Sequence, residues 1–125
     1  MNRKILIITA LLGAFTVSLG ALGAHAFKEL MSDSELANYK TAVFYQFMHI
    51  IAILMTTNFK QLSNKIKSII AYLFLTGILF FSGSIYLISL HLVNAKSIWF
   101  ITPLGGLLFI SGWLVLGWGF TKANK

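Results

Sequence analysis

The sequence predicts an all-α integral membrane protein: a bundle of four transmembrane helices with its N- and C-termini in the cytoplasm. Two observations carry the fold class. Residues 5–27, 41–59, 68–94 and 97–121 contain no Asp, Glu, Lys or Arg. Each run reaches the roughly 18–20 residues that cross a 30 Å hydrocarbon layer as a helix. In addition, 58% of the 125 residues are apolar and 10% charged, where a soluble domain carries about 25% charged residues. A chain this poor in charge, with mean hydropathy +0.83, cannot cover its own surface in water. Lipid leaves no partner for unpaired backbone groups, so every crossing is read as a helix. The helices fall at about 5–27, 33–59, 68–93 and 98–120, in a single membrane domain spanning 1–125.

The first helix opens like a secretory signal peptide, with Arg3-Lys4, an apolar run and Ala24-His25-Ala26. Its apolar run, 5–23, exceeds the roughly 7–15 residues of an ordinary signal core, so it is read as a retained span. Gly13, Gly20, Ala14, Ser18, Ala21 and Ala24 share one arc and are assigned to helix contact, with Leu11, Phe15, Leu19 and Leu22 opposite. Before the second helix, Ser32-Asp33-Ser34-Glu35 fits a capping box with Ser32 as N-cap. The helix then starts near Asp33, ahead of the membrane, and presents Ala42, Tyr45, His49, Ala52 and Thr56 on one face. In the third, Gly77, Ser84 and His91 recur every seven residues, while Ser82, Tyr86 and Ser89 lie on another side. Being small or polar on two faces, it is either the central helix or contacts another copy. The fourth aligns Gly105, Gly112 and Gly119 with Thr102 and Phe109. It has two readings at Thr102-Pro103: Thr102 caps a helix beginning at Pro103, which is slightly favoured, or the helix starts near Ser97 and kinks at Pro103. The seven-residue spacing of small residues predicts close packing along a left-handed seam, and Gly83 is assigned to helix packing as well.

Orientation follows from the basic residues. Arg3, Lys4, Lys60, Lys65, Lys67, Lys122 and Lys125 fall on one side, against Lys28, Lys40 and Lys96 on the other. The richer side is cytoplasmic. Nine of the ten basic residues are Lys, which points to a bacterium. The net charge of +7 does not indicate nucleic-acid binding, because the basic residues sit at the ends of apolar runs rather than along one face. The absence of cysteine excludes disulfides, thiolate metal sites and cysteine nucleophiles.

With this topology, His25, Tyr45, Gln46, His49, Ser84, Tyr86, His91 and Thr102 fall in the outer half of the bundle or at its centre. Together with Ser82 they form a candidate polar cluster, opening toward the outside and suited to a small molecule, a lipid headgroup or an ion. The competing reading is structural. There His49 bonds a serine or a carbonyl on a neighbour, Tyr45 and Tyr86 pack with their hydroxyls bonded, and the glycines only pack. Three histidines without a carboxylate or local spacing make no metal motif. No carboxylate lies within a span, and the serines lack a base and carboxylate around them. No catalytic residue, metal or cofactor is expected, and the chain is not read as an enzyme.

Four segments resemble the YgdD/YwdK family of small bacterial membrane proteins, whose function is unknown. They are Gly20-Ala21-Leu22-Gly23-Ala24-His25, Tyr39 to His49 (YKTAVFYQFMH), Phe81-Ser82-Gly83-Ser84-Ile85-Tyr86, and Thr102-Pro103-Leu104-Gly105-Gly106 followed by Gly112-Trp113. The resemblance spans essentially the whole chain and implies a four-helix protein of the bacterial cytoplasmic membrane, with no known activity. Ser89-Leu90-His91 and Ala26 depart from the family pattern, which leaves His25 and His49 as the better candidates. The expected function is a structural or accessory membrane component; the alternative is a binding or transport-related protein using the outer cluster. Expected partners are the lipid bilayer and either a second copy or another membrane protein, without nucleic acid.

Overall fold

The computed structural model describes residues 1–122, and its element order is α1 (Arg3–Ala24), α2 (Asp33–Thr56), α3 (Asn64–Ser89) and α4 (Ile101–Lys122). One 3₁₀ turn, Lys28–Leu30, precedes α2, and another, Ala95–Ser97, precedes α4. Among the described residues there is no strand.

Local hydrogen bonds, not the limits of the apolar runs, set the helix ends. The Ser32 capping box forms in full: Ser32 Oγ accepts from the Glu35 N–H at 3.3 Å, and Glu35 Oε2 accepts from the Ser32 N–H at 2.8 Å. α3 begins at Asn64, ahead of the charge-free run, because Ser63 Oγ accepts from the Ile66 N–H. The run marks hydrocarbon, while the helix continues outward through Lys67 and Lys65. α3 stops at Ser89 in a Schellman motif: the Leu92 N–H bonds the Leu87 carbonyl at 2.9 Å and the His91 N–H bonds that of Ile88 at 3.0 Å. His91 takes the left-handed position, φ 58°. α4 corrects both readings of Thr102-Pro103. It begins at Ile101, so Thr102 is not its cap, and Pro103 lies in the first turn, where a missing N–H has no partner to lose and forces no kink.

α1 corrects the expected packing face. Its buried residues are Ile5, Thr9, Thr16, Leu19 and Gly23, whereas Ala14, Ser18, Ala21 and Ala24 face outward. The threonines can be buried because each hydroxyl bonds the carbonyl four residues back, Thr9 to Ile5 and Thr16 to Leu12. α3 is central, packed between α2 and α4; α1 packs on α2 and barely touches α3. The α3–α4 seam interlocks. Phe109 fills the space over Gly77, Phe74 that over Gly112, and the backbone of Phe81 lies against Gly105 so closely that a Cβ there would collide with it. At Gly119 the space is closed instead by a side-chain tip, the Leu62 Cδ2. Gly13 and Gly20 make only ordinary contacts with Ile50 and Val43. Gly83 corrects its assignment to packing, since an added Cβ there would meet nothing within 4 Å.

Outward surfaces are apolar: Leu11, Phe15 and Val17 on α1, Phe44 and Phe47 on α2, Leu79 on α3, and Leu107 and Leu114 on α4. α1, α3 and α4 are long and apolar enough to cross a membrane. The fold is an all-α membrane helix bundle. One end gathers the N-terminus, the α2–α3 connection and the end of α4: the Met1 ammonium donates to Asn64 Oδ1 at 2.9 Å, and Phe59 packs on Phe120. At the other end Glu35 pairs with His91. The first end therefore holds Arg3, Lys4, Lys60, Lys65, Lys67 and Lys122, and the second Lys28, Lys40 and Lys96. Lys125, counted with the first group, lies outside the described residues.

Candidate functional site

His49 sits inside the bundle, only 1% exposed. Its Nδ1 lies 2.7 Å from the Tyr45 carbonyl, which can only accept, so Nδ1 carries the proton. The Trp113 indole N–H, which can only donate, points at Nε2 at 3.1 Å. Both bonds require the neutral Nδ1–H tautomer, and together they use both ring nitrogens. The imidazole also stacks on Phe109 at a centroid distance of 3.6 Å and meets the Phe74 edge at 4.9 Å. Tyr45 stacks beside it and against Phe81, but among the described residues its hydroxyl has no partner, contrary to expectation.

The remaining polar residues pair between helices rather than converge. Tyr86 donates to Gln46 Oε1 at 2.8 Å, and Ser82 to the Ala42 carbonyl at 2.8 Å, both joining α3 to α2. Ser84 and Thr102 share a hydrogen bond of 2.5 Å between α3 and α4. Tyr39, which lay within a recognised motif but was not singled out, donates to the Leu19 carbonyl at 2.7 Å while its ring fills the space beside Gly23. No local pattern pairs it with Leu19, 20 residues earlier, or with Gly23. His25 stands apart, exposed at the end of α1. His91 also lies outside the interior set; its Nε2 is 2.6 Å from Glu35 Oε1. The capping bond to the Ser32 backbone, and then the bond from His91, hold the Glu35 carboxyl below its ordinary value.

Among the described residues, no three of His, Asp and Glu approach one another as metal ligands would. No buried side-chain nitrogen or oxygen among them is fully enclosed without a hydrogen bond. A cavity of about 290 Å³ borders the set between α1, α2 and α3, with Gln46, Gly83 and Tyr86 in its wall. All its lining residues lie well within their helices, so it is on the flank of the bundle rather than at an end.

Fold and site together define a small helical membrane protein whose interior polar groups tie its helices to one another. The chain belongs to the family described as protein of unknown function (DUF423), whose model matches residues 19–106. It is 37% identical to a UPF0382 membrane protein of Haemophilus influenzae over 125 residues, all of this chain and 99% of that one. It is 36% identical to the UPF0382 inner membrane protein YgdD of Escherichia coli K12, over 99% of this chain and 94% of the relative. A UPF0382 membrane protein of Staphylococcus aureus is 37% identical over 91% of this chain. No solved structure matches. The resemblance seen in the sequence is thereby established, and the family carries no assigned activity.

Proposed function

We propose that this protein is a structural or accessory component of the bacterial cytoplasmic membrane, not an enzyme, and that all four helices cross the bilayer with both termini inside. The observation that carries the reading is His49: an imidazole 1% exposed, with both nitrogens bonded and one face stacked on Phe109, has nothing left to offer a ligand. α2 supports the fourth crossing. Its 24 residues span about 36 Å at 1.5 Å each, its Gln46 and His49 are buried, and Phe44, Phe47, Ile51 and Leu54 face outward. The name of the Escherichia coli relative, an inner membrane protein, supports the location. An accessory role implies a membrane partner or a second copy, and the bilayer is the immediate neighbour.

The test is a double-mutant cycle read by thermal unfolding in detergent. His49→Leu leaves the Trp113 N–H unpaired and lowers the midpoint, by an amount corresponding to about 1–3 kcal/mol. Trp113→Phe lowers it as well, and the pair together costs less than the sum. A His49→Leu protein as stable as the parent overturns the structural role. The alternative, a binding or transport-related protein, is favoured by a different residue, Gln46, and not by the histidine.

A further inference from the structure

Gln46 is 2% exposed, yet only its oxygen is spent within the bundle. The Tyr86 hydroxyl donates to Oε1, and among the described residues the amide nitrogen has no partner. Every fully enclosed polar side-chain atom among the described residues does have one, so the accessible sliver of Gln46 includes this NH₂, and the residue lines the flank cavity. The rest of that wall is apolar, with Ile8, Leu12 and Phe15 from α1 and Leu75 and Ile78 from α3. Two hydrogen-bond donors facing an apolar cavity at membrane depth lack an acceptor, and water is scarce there.

Depth and charge select what supplies the acceptor. Gln46 is the sixth residue of the charge-free run 41–59, roughly 8 Å inside its outer end and about 6 Å from its centre. Phospholipid ester carbonyls sit at the edges of the hydrocarbon layer, roughly 8 Å away along the helix axis. No charged side chain lines the cavity, so an ion would be desolvated without compensation. At about 290 Å³ the space matches the small end of ligand sites. A second cavity of about 420 Å³ shares Leu79, Gly83 and Tyr86 with it and continues past Leu87 to Ile98 and Ile101 at the far end of α3 and α4. Gly83 is the saddle between the two, and its missing side chain keeps them continuous.

We infer that this flank groove binds a neutral, lipid-soluble carbonyl compound of the quinone type, its carbonyl accepting from the Gln46 amide and its apolar tail passing over Gly83 between α3 and α4. This goes beyond the accessory role; it rests on the proposed crossing of α2 but not on the His49–Trp113 pairing, since neither residue lines the groove.

The test uses the full chain in lipid nanodiscs, with decylubiquinone as probe and decylbenzene, which has the tail without the carbonyl, as control. Saturating decylubiquinone raises the unfolding midpoint by about 5 °C or more, and decylbenzene leaves it unchanged. Gly83→Leu puts a side chain into the saddle, where an added Cβ meets nothing within 4 Å, so it keeps the unliganded midpoint and loses the quinone shift. Gln46→Met retains the side-chain volume and loses the shift too; if it proves unstable, Gly83→Leu decides alone. Equal shifts from both compounds identify an acyl-chain groove and overturn the inference. So does an unshifted parent protein, or a shift that survives Gly83→Leu. Native mass spectrometry in the same nanodiscs covers the remaining occupant: a dimer that Gly83→Leu converts to monomer, with no quinone bound, assigns the groove to a second copy and overturns the inference as well.

Discussion

A single imidazole shows how little of a site's meaning lies in the residue type. The sequence marked His49 as a polar group at membrane depth and offered both a ligand and a structural role. The choice between them rests on Trp113, 64 residues away, and no local pattern connects the two. Glu35 is the opposite case, because its capping role is written within four residues and forms as read. The second job of Glu35, receiving His91 across 56 residues, was invisible for the same reason as Trp113. At His91 the two kinds of information meet. The backbone there is left-handed, which costs most side chains about 1–2 kcal/mol and glycine almost nothing. His91→Gly and His91→Ala both remove the contact with Glu35, so chemical denaturation should find the glycine variant more stable by about 1 kcal/mol. The carboxyl adds a pH dependence of definite sign. Its folded value is depressed below the ordinary 4.5, so its contribution is complete above that value and fades as pH falls through the lowered one. Glu35→Gln should flatten the acid limb of the stability profile by lowering stability slightly at neutral pH, where an exposed pair contributes little, and the two proteins should converge in acid, where the native carboxyl is protonated.

At the scale of elements, spacing alone reveals which residues share a face but not which face is inward. The Gly105, Gly112 and Gly119 row was legible because three glycines at seven-residue intervals have few uses other than close approach. The glycines and alanines of α1 showed a similar regularity and lie on the wrong side. Buried threonines, each bonded to its own helix, took the interior instead. Gly83 was assigned to packing like Gly105, yet one borders open groove and the other presses on the Phe81 backbone. Alanine substitution separates them. Gly105→Ala should lower stability by about 1–3 kcal/mol through overpacking. Gly83→Ala should be neutral or raise stability by up to about 1 kcal/mol, since glycine weakens a helix interior. Equal losses at both positions in a thermal-unfolding comparison would contradict the interlocked α3–α4 seam.

For the molecule as a whole, the structure groups the ends of the helices and leaves the compartments open to experiment. The Met1–Asn64 bond and the Phe59–Phe120 contact bring the N-terminus, the α2–α3 connection and the end of α4 together. Six basic residues gather there, against three at the other end. A surplus of this kind in short connections holds an end in the cytoplasm. The exposed tryptophans agree with a membrane between the two ends, since Trp99 precedes α4 and Trp118 lies in its last turns, where Lys122 sits 4.4 Å from the ring centroid. The native chain has no cysteine, so an introduced thiol is the only one in the protein. Ala26→Cys, between α1 and α2, and Gln61→Cys, between α2 and α3, are both exposed. In intact cells a membrane-impermeant maleimide should label position 26 at once and position 61 only after permeabilisation. The reverse pattern inverts the orientation. Simultaneous labelling of both means that α2 does not cross. Since α2 carries the polar side of nearly every interior pair, such a result would turn Gln46 and His49 from membrane-depth groups into residues of an interfacial helix, and the groove beside Gln46 would lose its claim to a ligand drawn from the hydrocarbon layer.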